Sequence, residues 1–145
     1  MASTGMNMDY SYVITPFLAW LVAGSSKFFI NSIRAKQLAF CLIGYGGLPS
    51  NHSAIVSSVA ALVALKEGMD DPSFGVSLTL AFIVLLDANS LRQQIGKHAV
   101  TINILAKDVK SVQLLRERMG HTRVEILAGI AVGIAVAAAV NGLLV

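Results

Sequence analysis

An all-α fold, a small polytopic bundle of membrane helices, is what this sequence predicts, and three observations predict it. The chain is 55% hydrophobic and only 13% charged, with a mean hydropathy of +0.70, well outside the range of an ordinary water-soluble domain. Apolar runs of helical length recur along it, separated by short turns carrying Gly, Pro and charge. Its 145 residues fill one compact unit and leave no room for a separate soluble domain of useful size. Residues 1–145 are therefore read as a single membrane-embedded domain with about four spanning helices and a short re-entrant or partial helix.

The elements follow in order. Met1 to Met8 carry no Lys or Arg, so the first apolar run lacks the basic leader of a signal peptide and reads as a retained helix. That run, Tyr12 to Ile30, is long enough to span, since about 20 residues at 1.5 Å each cross a hydrocarbon core of roughly 30 Å. Gln37 to Tyr45 is too short to cross and runs into Gly44, Gly46 and Gly47, which fits the partial helix. Asn51 to Leu65 and Phe74 to Leu86 are apolar helices on either side of the turn Lys66-Glu67-Gly68-Met69-Asp70-Asp71-Pro72. Gln93 to Leu105 keeps a helical pattern inside the polar stretch Asn89 to Arg123, as expected of a helix running out of the membrane. Val124 to Val145 is the clearest span, and its Gly129, Gly133 and alanines permit close helix packing. The same small residues leave homo-oligomerisation open.

Charge sets the expected orientation. Arg34, Lys36, Arg92, Lys97, Lys107, Lys110, Arg116, Arg118 and Arg123 fall on one side of the four-span reading, and Lys66 falls on the other beside Glu67, Asp70 and Asp71. The positive-inside rule then puts the basic side in the cytoplasm and both termini outside. The single cysteine, Cys41, excludes an intrachain disulfide and reads as a small buried hydrophobe. His52, His98 and His121 show no zinc-type spacing, so no metal and no cofactor is expected. His98 reads as a helix-surface residue. The membrane is the expected environment, and no nucleic-acid partner is expected.

Four groups of polar residues interrupt the apolar pattern, and the threading brings most of them to one membrane face. Lys27 and Arg34 lie on one side of a continuous helix, roughly 10 Å apart along its axis. They either snorkel to the interface separately or converge on one anion. Gly46-Gly47-Leu48-Pro49-Ser50-Asn51-His52 reads as a turn feeding a helix capped by Ser50 or Asn51, whose free N–H groups favour a phosphate. His52 would then sit in the first turn, either meeting the headgroup layer or protonating a leaving oxygen. His121 and Glu125, at i and i+4, are neighbours on a helix surface. The pair is either a solvated, capped first turn or an imidazole oriented by a carboxylate. Asp87 closes an apolar run and needs a partner. Arg92 supplies that partner or, alternatively, a phosphate clamp.

Lys27-x6-Arg34, Pro49-Ser50-Asn51-His52 and His121-x3-Glu125, in that order, resemble the three-part signature of the type 2 phosphatidic acid phosphatase (PAP2) superfamily. That signature reads Lys-x6-Arg-Pro, Pro-Ser-Gly-His and Ser-Arg-x5-His-x3-Asp, and the resemblance looks closest to the divergent branch of small membrane proteins with YuiD-like members. The segment Asp87-Ala88-Asn89-Ser90-Leu91-Arg92, followed by Gly96, also resembles that branch. Ala35 stands for the family proline, Asn51 for the glycine and Glu125 for the aspartate, while Leu114-Leu115 occupies the places of the Ser-Arg pair. The resemblance implies metal-independent hydrolysis of a lipid phosphate or pyrophosphate. It casts His121 as nucleophile, Glu125 as its orienter and His52 as the acid for the leaving group. Lys27, Arg34, Ser50, Asn51 and Arg92 would bind phosphate, with Asp87 in support, and Arg92, Arg116 or Arg118 would replace the missing arginine. The alternative is a non-catalytic PAP2-like protein that binds or moves phospholipids or serves as an assembly subunit. A haloperoxidase holding vanadate is disfavoured in so small and apolar a chain.

Overall fold

The computed structural model describes residues 9–36, 38, 47–107 and 113–144. They form α1 (Ser11–Ala35), α2 (Asn51–Lys66), α3 (Pro72–Leu86), a π-helical turn (Asp87–Leu91), α4 (Arg92–Leu105) and α5 (Arg123–Leu144), with no strand among them. The all-α membrane bundle expected from the sequence is what is observed. The expected partial helix Gln37–Tyr45, apart from Leu38, lies outside the described residues, as do Met1–Met8, Cys41 and Lys110.

Among the described residues, three helical stretches are long and apolar enough to cross a membrane: Ser11–Ala35, Pro72–Leu105 and Arg123–Leu143. The second is continuous from α3 through the π-turn into α4. Its 34 residues reach about 51 Å at 1.5 Å per residue, against a hydrocarbon core of about 30 Å. Its far end therefore projects from the bilayer, which is the helix running out of the membrane that the sequence predicts. The fourth packed helix, α2, has 16 residues and is about 24 Å long, short of a full crossing.

Its surroundings explain how α2 manages this. It packs on α1, α3 and α5 together, and Ser53, Ala54, Val56, Ser57, Ser58, Ala60, Leu62 and Val63 are all buried. Small side chains dominate because backbones approach closely. A Cβ at Gly129 would lie 2.4 Å from the Ser50 carbonyl oxygen, and one at Gly133 would lie 2.5 Å from that of Ala54. Only glycine fits at either position, so the two glycines of α5 let it lie directly against α2.

The two ends of α2 are fixed differently. At its C-terminal end, Lys66 pairs with Asp9 at 2.6 Å, and the Tyr12 hydroxyl donates to Glu67. The bond from Lys66 holds the Asp9 carboxyl down at about 2. At its N-terminal end, the Ser50 hydroxyl accepts from the Ser53 N–H at 3.3 Å and from the Ser53 hydroxyl at 3.0 Å, and the Ser50 N–H donates to the Glu125 carbonyl at 2.9 Å. This last bond sets the start of α2 against the start of α5.

Beyond the membrane, the chain returns along α4. The Asn103 amide donates to the Leu115 carbonyl at 2.9 Å and to Glu117 at 2.8 Å, and its oxygen accepts the Leu115 N–H at 2.8 Å. A Cβ at Gly96 would lie 2.5 Å from the Glu117 carbonyl, so the glycine admits this return segment.

Candidate functional site

The site forms where α2 and α5 begin and α3 gives way to α4. His121 is its anchor. Gly120 precedes it at φ +83°, and a Cβ there would meet the Gln93 Cγ at 2.9 Å, so the tight approach needs glycine. The His121 N–H donates to the Ala88 carbonyl at 2.9 Å, and the Gln93 amide donates to the His121 carbonyl at 3.0 Å. Ala88 lies within the π-turn, where the Arg92 N–H reaches back to the Asp87 carbonyl. The wider turn displaces the ordinary helical bonding pattern, and the Ala88 carbonyl takes its bond from the histidine segment instead. Both ends of the His121 backbone unit are thus pinned by one stretch of helix.

Glu125 then does two jobs with one oxygen. Its Oε2 accepts the Thr122 N–H at 2.9 Å and lies 3.2 Å from the His121 Nδ1, while the Thr122 hydroxyl accepts the Glu125 N–H at 3.3 Å. Thr122-x-x-Glu125 is a capping box. The two readings of this segment, helix cap and oriented imidazole, therefore hold together. With Nδ1 engaged by a carboxylate, the His121 Nε2 is left to present a lone pair.

Opposite stands His52, in the first turn of α2. The two imidazole centroids are 6.1 Å apart, with planes inclined at 55°. His52 Nδ1 and Asn51 Oδ1 are both buried without a hydrogen-bond partner among the described residues. Lys27, half-buried on α1, acts electrostatically on both histidines, and so does Arg92. Gly47, at φ +150°, lets the turn pass close to α1: a Cβ there would lie 3.4 Å from Asn31 and 3.7 Å from the Lys27 stem.

Burial pushes the His121 pKa below its ordinary value, and the positive charges of Lys27 and Arg92 act the same way, while the bond to Glu125 opposes them. The neutral imidazole, the form with a lone pair to give, is therefore favoured at neutral pH.

The remaining expected residues divide. Arg92 uses its Nε to bond Asp87 at 2.8 Å, so it is the partner that Asp87 needs, and its charge acts on both histidines as well. Ser50 is fully buried and serves as the α2 cap. Arg34 stands apart: it is exposed in the last turn of α1, and its charge is not among those acting on either histidine. Leu114 and Leu115 lie on the exposed return segment along α4. Arg116 donates to the Arg118 carbonyl within that segment. Of the arginines expected to replace the missing one, Arg92 is thus the one placed with the histidines. Gln93, Asn31 and the Ala88 carbonyl escaped the sequence reading, because nothing in their spacing marks them. Thr122 was not singled out either, although Thr122-x-x-Glu125 has the spacing of a capping box.

The model of the divergent PAP2 family matches residues 8–136, which include every residue of this cluster. The chain belongs to the divergent PAP2 family. A second comparison agrees: the chain is 32% identical over 139 residues to the uncharacterized membrane protein YuiD of Bacillus subtilis (strain 168), covering 84% of this chain and 88% of that protein. No solved structure matches the chain. Three apolar helices of spanning length and a membrane-protein relative make this divergent PAP2 protein an integral membrane protein.

Proposed function

We propose that this protein is a lipid phosphate phosphatase that works through a phosphohistidine on His121. The observation that carries the reading is the opposition of two imidazoles at 6.1 Å, one of them held through Nδ1 by Glu125. Attack needs about 3–3.5 Å between reacting atoms and proton transfer needs a hydrogen bond of about 2.9 Å, so rings this close can both reach one phosphoryl ester seated against their edges. In the first step the Nε2 lone pair of His121 forms an N–P bond, the ester P–O bond breaks, and His52, which takes up a proton against the phosphate dianion bound beside it, gives that proton to the departing lipid oxygen. In the second step water attacks phosphorus, His52 takes a proton from it, and the N–P bond breaks to release phosphate. Lys27 and Arg92 stabilise the charge on the phosphoryl oxygens. The first-turn N–H groups of α2 and the Asn51 side chain add hydrogen bonds, and Arg34 lies at the outer rim. A site at the end of a membrane bundle favours an amphiphilic substrate such as phosphatidate, a phosphatidylglycerol phosphate or a polyprenyl phosphate. The charge bias puts it on the cytoplasmic face.

One observation favours a second reading, a non-catalytic binder of phospholipid headgroups: Leu114 and Leu115 stand where the family carries Ser-Arg, and the segment bearing them is docked on α4. Purified protein separates the two. The phosphatase releases phosphate from phosphatidate in the presence of chelator, is inhibited by vanadate, and loses activity in His121→Ala and His52→Ala. Wild-type turnover in both variants overturns the mechanism, and phosphatidate binding without turnover supports the binder.

A further inference from the structure

Both α3 and α5 lean on α2 yet barely touch one another, which leaves a trough between them. Two adjoining cavities of about 310 and 300 Å³ occupy it, and they share Phe82 and Leu85 as walls. The upper one reaches Asn89 and Arg123, and the lower one reaches Ile134 over a floor that includes Ala60 and Ala81. Each is in the size range of a small-molecule site.

We propose that this trough holds one hydrocarbon chain of a phosphate-headed lipid whose head occupies the histidine site. The inference rests on the proposed function for its headgroup and on the trough itself for its chain. Length fits first. From Arg123 to Ile134 along α5 the trough runs about 16 Å at 1.5 Å per residue, close to half of a hydrocarbon core of about 30 Å. That is the depth of one leaflet, so a chain entering at the site end stays within its own leaflet.

Chemistry agrees along the whole length. The walls are apolar apart from Ser57 on the floor and the site end, where Arg123 and Asn89 supply a cation and an amide. Their position is tied to the site through the backbone: Asn89 follows Ala88, whose carbonyl holds His121, and Arg123 follows the Thr122 cap. A lipid seated in the trough therefore has Arg123 and Asn89 at the mouth through which its phosphate reaches toward the histidines. Spread over that length, volumes of about 310 and 300 Å³ suit a hydrocarbon chain, whereas a helix from a second copy is about 10–12 Å across with its side chains.

The test uses the full chain in phosphatidylcholine nanodiscs, with a phosphatidate probe carrying a diazirine midway along one acyl chain. Irradiation should place adducts on α3 and α5 between residues 78 and 134, competed by unlabelled phosphatidate and not by added phosphatidylcholine. Leu78→Trp, at an exposed wall position that does not threaten folding, and Ala81→Trp, deeper on α3, should each lower that labelling at least tenfold. Both should also lower the ratio of long-chain to short-chain phosphatidate turnover by a similar factor. Adducts spread over the outer face of α1, equal competition by both lipids, or adducts joining two copies of the protein would overturn the trough assignment. Adducts in the trough without phosphate release support the trough and overturn the phosphatase alone. Phosphate release with adducts elsewhere does the reverse.

Discussion

Glu125→Gln separates the two jobs of one carboxylate. In the native site Oε2 accepts from Thr122 at 2.9 Å and faces the His121 Nδ1 at 3.2 Å. A carboxylate only accepts, so Nδ1 keeps its proton and Nε2 keeps its lone pair. A glutamine that keeps the cap puts its amide oxygen where Oε2 stands, so the contact with Nδ1 persists but without its charge. Loss of the charge-assisted bond is worth about 1.5–3 kcal/mol, or about ten- to 150-fold in rate. The expected loss in kcat is thus roughly ten- to 150-fold with little change in KM. Because the cap survives, stability should change by less than about 1 kcal/mol. Phosphate release and thermal unfolding, measured on the same detergent-solubilised preparation, read both quantities. The pH profile adds a sign. His121 is held below its ordinary value of about 6.5, so turnover rises with pH through a limb lying below that value, and removing the Glu125 carboxylate moves the limb lower still. Stability follows the same group: below about pH 6.5 the unfolded chain takes up a proton that the folded site resists, so stability falls with falling pH and is unaffected above. A Glu125→Gln protein with kcat within about threefold of wild type and an unmoved acidic limb would refute the reasoning and leave Glu125 as a cap alone.

Three further outcomes are expected. Gly129→Ala puts a methyl group 2.4 Å from the Ser50 carbonyl and should cost about 1–3 kcal/mol by overpacking, whereas Gly142→Ala meets nothing within 4 Å and should leave thermal unfolding unchanged. Lys27→Ala removes a cation that acts on both histidines and should lower kcat by about 10²-fold. Arg34→Ala, at the exposed rim, should have a markedly smaller effect, and equal losses in the two variants would contradict this division. A topology reporter fused after Lys110 should report the cytoplasm, and a signal from the outer side would move the site to the opposite face.

Most of the fold was legible because the apolar runs and their punctuation are strong signals. The turn ending at Pro72 put the start of α3 at Phe74, two residues late, Ser50 capped α2 as expected, and the polar but periodic Gln93–Leu105 formed the helix that continues α3 outward. The length of that continuation was not legible. The sequence breaks the hydrophobic pattern at Asp87, but the helix carries on through a π-turn because Arg92 neutralises Asp87 and His121 binds the Ala88 carbonyl. The Asp87–Arg92 pair is local and was named from the sequence, whereas the His121 bond is tertiary and no local pattern reports it. The histidines and Glu125 were readable from spacing, and the structure brings them together. What spacing could not decide was which arginine faces them, since Arg92, Arg116 and Arg118 are equal in sequence and unequal only once the return segment lies along α4.

The central claim, that His121 becomes phosphorylated, is tested most directly by quenching the purified protein during turnover of phosphatidate labelled in its phosphate and mapping the label. The account predicts an acid-labile, alkali-stable phosphohistidine on the peptide carrying His121, absent from His121→Ala and formed in chelator. Retention of phosphatidate with no covalent label and no released phosphate would contradict it.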